Sequence, residues 1–370
     1  MQGAVLPQVR RDLGIGYQEL GLLLSVPTYA ALLIESPIGL MADAGHHRKL
    51  VLGGGVAVAI ALVMFGSAGG FGSALVAMVI LFPASGAFVS LTQASLVNAG
   101  GDATSAMTRW TLAGSIGQLA GPALIAAMTV AGLTWRPAYL LMAGLTVVFT
   151  LVTAVGSRGQ GHVTPGAANG GLLLTAREAW RAFRTRSVLL SLAALEASDL
   201  SLDVLTGFTA VYLVDVAGAS PALAAAAVGI RAAAILAGDL IAVPLFDRVD
   251  GRRVIGVTAP LTAIALAFTF GIHGLLPKLG GLAATGVLTA GWYAFLQAEL
   301  YRAVPERGGS VMAISNAGSV IGGALPALLG LVASTIGLGS AMWLLVAGPL
   351  IVLVLLRLPP SDDRATARTG

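Results

Sequence analysis

Apolar runs of about 20 residues recur along the chain, set apart by short stretches rich in glycine, proline and charge. A helix rises 1.5 Å per residue, so each run reaches about 30 Å, the thickness of a bilayer's hydrocarbon core. The pattern predicts helices near 19–42, 50–68, 73–97, 109–131, 137–156, 187–214, 221–246, 253–274, 279–301, 309–335 and 338–358. Only helices or closed barrels satisfy the backbone in lipid, and barrel strands would alternate apolar and polar residues, which these runs do not. The chain therefore reads as an all-α polytopic membrane protein.

The pattern also repeats. Gly39-Leu-Met-Ala-Asp43-Ala-Gly-His-His-Arg48-Lys49 finds its partner 204 residues on, in Val243-Pro-Leu-Phe-Asp247-Arg-Val-Asp-Gly-Arg252-Arg253. One offset maps Asp43 to Asp247, Arg48 to Arg252, Lys49 to Arg253, Glu35 to Asp239 and Gln93 to Gln297. It also lays residues 113–124 over 317–328 with seven of twelve positions identical. Two copies of one unit explain this, and a repeat of that kind governs every later assignment. Residues 1–18 are too short and too polar to span. At the same offset Gly3 maps to Gly207, so they read as the last turns of a first span whose start lies upstream; the alternative is a chain of eleven spans. With that first span counted, the predicted runs are spans 2 to 12. The expected organisation is a half bundle at 1–156, a linker at 157–186, a second half bundle at 187–358 and a tail at 359–370.

Composition sharpens the membrane reading. The chain is 56% hydrophobic and 10% charged, where soluble domains carry roughly 25% charged residues. Its 49 glycines suit close helix approach in a bilayer. There is no cysteine and there are four scattered histidines, which speaks against disulfides and a metal centre. Lys and Arg set the orientation. With the 39–49 loop in the cytoplasm, that side collects sixteen of the 21 basic residues, and the other keeps Arg10, Arg11, Arg136 and Lys278. The 157–186 stretch and the C-terminus are then cytoplasmic, and 177–186 can form an amphipathic surface helix.

Charge inside the spans marks candidate chemistry. Glu196, Asp199 and Asp203 in span 7 fall within roughly 60° of one another on a helix. They cannot face lipid, where each charge costs at least about 2.5 kcal/mol near the bilayer centre. They are expected on a water-filled cavity, as a proton or substrate pathway, with Glu196 nearer the cytoplasm as an exit relay. Arg231 in span 8 lies at similar depth to Asp199 and Asp203 by counting, and the competing reading is an ion pair between the two spans. Glu35 and Asp239 each precede the loop aspartate by eight residues; they read as gate or proton-relay groups, or as hydrogen-bonding groups to a neighbouring helix.

Twelve implied spans, two halves, a cytoplasmic linker and Gly39…Asp43…Arg48-Lys49 after span 2 resemble the major facilitator superfamily of secondary transporters. The Asp247…Arg252-Arg253 stretch resembles the weaker second copy of that family's signature. Gly117-Gln-Leu-Ala-Gly121-Pro122 resembles part of its antiporter motif. Two departures stand out: Gly45-His46 replaces the usual order of any residue then glycine, and Ile125-Ala126 replaces the closing glycine pair. The resemblance implies two six-helix halves, alternating access, and a central cavity lined by spans 1, 4, 7 and 10. Gln93, Trp292, Tyr293 and Gln297 become ligand candidates, with packing or interface anchoring the competing reading for Trp292 and Tyr293. Gly39, Asp43, Arg48, Lys49, Asp247, Arg252 and Arg253 become a cytoplasmic gate; the bland reading is a topology signal and tight turn. Pro122 and Pro326, which the repeat makes equivalent, each break one backbone hydrogen bond, and with Gly121 permit bending. Gln118 and Asn316 read as interhelical hydrogen-bonding groups.

Three functions compete. A proton-coupled exporter of a small organic solute predicts intramembrane acids, a repeat and no nucleotide site. The alternatives are an importer or uniporter of the same fold, a channel, or the permease subunit of a multi-chain pump; the sequence has no Gly-x-x-x-x-Gly-Lys-[Ser/Thr] phosphate loop, so any ATPase would be a separate chain. An enzyme would need a nucleophile, base or metal cluster, and no such constellation stands in the sequence. The expectation is a non-enzymatic monomer in the cell membrane, with a small-molecule substrate and the bilayer as partners. It has no nucleic acid, no metal and no cofactor beyond a proton gradient.

Overall fold

The computed structural model describes residues 2–93, 103–156, 185–246, 248–303 and 320–358, with the side chains of a few of these, Asp43 among them, outside the description. All regular structure among the described residues is helical. Before the expected linker run α1 (Gln2–Leu13), α2 (Tyr17–Met41), α3 (His47–Gly66), α4 (Phe71–Ser85), α5 (Ala103–Val130) and α6 (Arg136–Gly156). After it come α7 (Arg186–Asp199), α8 (Leu205–Asp215), α9 (Pro221–Phe246), α10 (Gly251–Gly271), α11 (Leu275–Leu288) and α12 (Trp292–Ala303). The last are α13 (Leu325–Ile336), α14 (Leu338–Ala341) and α15 (Ala347–Arg357). Three helix starts, Tyr17, His47 and Phe71, recur 204 residues later at Pro221, Gly251 and Leu275.

Among the described residues, nine helical stretches are long and apolar enough to cross a membrane. Their surfaces are apolar as well: Leu33, Leu240 and Leu276 are 76%, 72% and 81% exposed. Lipid tails solvate such side chains at no cost, whereas in water each would expose apolar surface.

Two π turns interrupt the described helices, at Gly86–Ser90 and Leu200–Val204. Each inserts one residue and turns the side chains beyond it to a new phase. The stretch expected as a loop, 39–49, runs from the end of α2 through a short turn at 42–46 into the start of α3. That turn leaves helical geometry at Gly45, whose φ of +90° suits glycine. Pro122 lies inside the unbroken α5, but Pro326 sits in the first turn of α13. There its missing N–H has no helical acceptor to leave empty, so the two prolines are not mechanically equivalent.

The described residues form two compact units. The first takes in α1 to α6, α8, the start of α9 (to Ala232), α13 and α14. Here α3 packs on α4 and α6, and α2 packs on α4 and α13. Phe65, Trp135 and Tyr139 form one aromatic cluster in its core, with centroids 4.6 to 5.7 Å apart. The second takes in α7, the rest of α9, α10 to α12 and α15. Its core gathers Val188, Leu192, Leu195, Ile255, Trp292 and Leu296.

Candidate functional site

Span 7 is two helices, α7 and α8, joined by the Leu200–Val204 π turn, and its acids lie on and beside that turn. The bend fits against α15 because residue 348 is glycine: a Cβ there would lie 2.8 Å from the Ala197 carbonyl oxygen and 3.0 Å from Leu200 Cβ. Glu196 is buried, at 8% exposure, Asp199 is half-buried and Asp203 is exposed. Asp199 stands within electrostatic reach of both others. The three acids therefore form one graded row from core to surface.

A second glycine backs that row. A Cβ on Gly322 would lie 2.2 Å from Glu196 Oε2 and 3.4 Å from Asp199 Oδ2. Only the bare backbone lets both carboxylates rest on it. Glu196 Oε2 is buried without a well-aligned hydrogen bond; the Gly322 N–H is the backbone donor acting on that carboxylate. A buried carboxylate with so little support is costly, and such sites recur where protons or cations bind.

The other expected residues are placed as follows. Arg231 is 2% exposed and donates from Nη1 to Thr206 Oγ1. Asp239 Oδ1 accepts the Gly291 N–H at 2.9 Å, and the Glu35 carboxylate lies against Gly86. Gln93 and Gln297 are half-buried, and Tyr293 is 57% exposed. Trp292 is fully buried in the second unit's core and donates from Nε1 to Thr258 Oγ1 at 3.0 Å. That placement fits the packing reading of its indole. Gly121 and Pro122 are buried in α5, and Pro122 Cβ faces Gly229.

In the first gate stretch, Gly39 is near the end of α2, Arg48 Nη2 donates to the Ala154 carbonyl near the end of α6 at 3.0 Å, and Lys49 is exposed. A cation on the last carbonyls of a helix is favoured by the helix dipole. In the second stretch, Arg252 bonds Glu299 Oε2 through Nη2 at 2.5 Å and Nε at 3.1 Å, and Arg253 is exposed. Asp250 caps α10 by accepting the Arg252 N–H at 3.2 Å. The Asp43 side chain and Asp247 lie outside the described residues, as does Asn316.

Sequence reasoning missed the polar contacts made by the few basic residues expected on the side poor in Lys and Arg. Arg10 pairs with Asp215, and Arg136 pairs with Asp12 at 2.8 Å. Arg136 also donates to the Gly66 and Ala68 carbonyls, and Trp135 Nε1 donates to Asp12 at 3.1 Å. In the second unit, Lys278 is 7% exposed and donates to the Thr269 carbonyl at 2.8 Å. The available signal was scarcity. Few basic residues occur on that side, and three of the four are tied to named partners.

Among the described residues, fifteen α-helices, spans broken part-way and duplicated helix starts make a polytopic helical architecture. The chain belongs to the major facilitator superfamily, whose family model matches residues 1–230. No match was found among the curated proteins compared with it. Solved structures of similar fold include a mutant of the nucleoside transporter NupG, with a TM-score of 0.77 at 15% identity, covering 96% of this chain and 94% of that one. A bacterial homologue of the human lysosomal transporter Spinster, inward-facing and occupied, gives 0.75 at 15% identity, covering 100% and 92%. The E. coli fucose:proton symporter FucP gives 0.62 at 16% identity, covering 96% and 93%. At these identities the likeness is one of fold.

Proposed function

We propose that this chain moves a small organic solute across the cell membrane by alternating access, coupled to protons, as a monomer without metal or organic cofactor. The observation that carries the reading is the row Glu196, Asp199 and Asp203 along the broken span 7, with Gly322 behind it. Acids that share an apolar span exchange protons readily with a water-filled cavity, and coupling follows if their protonation changes solute affinity. Arg231, Gln93, Tyr293 and Gln297 are the further pathway and cavity candidates. Arg48, Lys49, Arg252 and Arg253 serve the gate at the cytoplasmic side, where the 157–186 linker and the C-terminus lie.

Direction follows the partial antiporter motif around Gly121-Pro122, which favours export. Uptake is the second reading, because a fucose:proton symporter is among the proteins of similar fold. The test is flux in proteoliposomes that enclose a pH-sensitive dye, with uridine, fucose and tetraphenylphosphonium as probes. The reading expects proton movement upon addition of one probe, opposite in sense for export and uptake, and lost in the Asp199→Asn/Asp203→Asn double variant. Solute flux without proton movement in the parent would sink the coupling.

A further inference from the structure

Two carboxylates at one repeat position each meet a helix break in another span. The break between α11 and α12 shows the chemistry. Thr289 N–H still reaches Thr285 O at 3.0 Å, but Ala290 N–H drops to Val287 O at 3.3 Å, a bond one residue shorter than helical. Gly291 then turns to φ +73°, which takes its N–H off the helix axis. A backbone N–H away from water needs an acceptor. Asp239 Oδ1, from α9, supplies it at 2.9 Å.

The surroundings allow little else. A Cβ on Gly291 would lie 2.4 Å from a Phe246 ring carbon, and one on Gly238 would lie 2.6 Å from Ala290 Cβ. So α9 is pressed onto the break by a glycine on each side. Past it, Trp292 enters the core and Tyr293 stays exposed. In the other repeat, Glu35 of α2 meets the π turn that ends α4. A Cβ on Gly86 would lie 2.2 Å from Glu35 Oε1 and 2.7 Å from its Cδ. Gln93 follows seven residues later.

We propose that Asp239 and Glu35 are positioning residues that fix the breaks of spans 10 and 4, and so aim the segments bearing Tyr293, Gln297 and Gln93. This differs from a proton-relay role in what it requires. A positioning residue at 239 needs an oxygen acceptor, not a titrating group, and Asn retains that oxygen. The inference rests on the transporter reading only in treating those segments as cavity walls, and its test uses no solute.

The chain has no cysteine, so Tyr293→Cys provides a single thiol. Its alkylation by N-ethylmaleimide is timed in the purified full chain. Asp239→Asn is expected to stay within about twofold of the parent rate. Asp239→Leu is expected to shift it by about three- to tenfold, the population change that one buried hydrogen bond supports. Equal shifts in both variants, or none in Asp239→Leu, overturn the proposal for Asp239. A second arm is independent of whether Asp239→Leu folds. With Gln93→Cys as the probe, Gly86→Ala should shift the rate in the parent and leave it unchanged in a Glu35→Ala background. The same shift in both backgrounds, or none in either, overturns it for Glu35.

Discussion

Arg10 of α1 and Asp215 at the end of α8 form an ion pair across 205 residues of sequence, with side chains 25% and 14% exposed. The Tyr17 hydroxyl donates to the same Asp215 oxygen at 3.1 Å, and its ring lies 4.2 Å beneath the Arg10 guanidinium. Three helices thus converge on one carboxylate oxygen. Close by in sequence, Gly3 packs on the Thr206 carbonyl and Gly207, its own repeat counterpart. Under the proposed alternating access such contacts open and close, which would make their strength a functional quantity.

Asp215→Asn should cost about 1–2 kcal/mol, because it strips a half-buried cation and a hydroxyl of their shared acceptor charge. Arg10→Asp combined with Asp215→Arg should recover part of that loss. Thermal unfolding of the detergent-solubilised protein measures both. If the single variant and the swap unfold at the parent temperature, the pair adds no net stability.

The spans were legible because length and apolarity report directly on a bilayer, and predicted starts at 137, 187 and 221 lie within a residue of Arg136, Arg186 and Pro221. The breaks were not. A π turn such as Leu200–Val204 leaves no mark in hydropathy, since it changes phase without changing composition. Treating span 7 as a uniform helix placed three acids on one face, but it could not reveal that they straddle a bend or that Gly322 lies against Glu196. The partner of Arg252 was also hidden. Nothing in the repeat pointed to Glu299, which lies on another helix. Repeat logic finds equivalent positions within the chain and says nothing of which helix packs alongside.

Gly21 of α2 and Gly330 of α13 form a close helix crossing in the first unit. A Cβ on Gly330 would lie 2.4 Å from the Tyr17 carbonyl oxygen, and one on Gly21 would lie 2.5 Å from that of Pro326. The Ala327 N–H donates to Ser25 Oγ at 2.9 Å across the same crossing. Gly330→Val should force the helices apart at a cost of about 1–3 kcal/mol. Oxidative cross-linking of a Ser25→Cys/Ala327→Cys pair should be efficient in the parent and fall sharply with Gly330→Val. Undiminished cross-linking would show that the crossing absorbs the added volume.

Asp199→Asn should separate solute movement from its driving force. The side chain keeps its size and an acceptor, so the cavity wall persists, but no proton can be taken up there. Counterflow exchange, which needs no gradient, should stay within about threefold of the parent, while pH-driven accumulation should fall at least about tenfold, as expected when one coupling term of 1–3 kcal/mol is lost. Gly322→Ala should weaken accumulation too, because the new methyl lands 2.2 Å from Glu196 Oε2 and displaces it. A variant at 199 that still accumulates solute fully would move the coupling group elsewhere along the row.

Arg252 and Arg48 stand at equivalent repeat positions yet hold different partners, and they should respond differently to substitution. Arg252 grips a carboxylate through two nitrogens, with its own side chain 38% exposed and that of Glu299 15% exposed. A small cavity beside this pair is lined by Ser187, Ser191 and the leucines at 355, 356 and 358. Solvent screening limits such a pair to about 0.5–1 kcal/mol, which a double-mutant cycle of Arg252→Gln and Glu299→Gln in thermal unfolding would recover. Arg48 instead meets a carbonyl through one nitrogen, a contact that Lys can also make. Arg48→Lys should therefore retain activity, whereas Arg252→Lys should lose the second bond to Glu299 and most of the measured coupling. Equal losses at the two positions would mean that charge alone, not the geometry of the partner, sets the strength of this face.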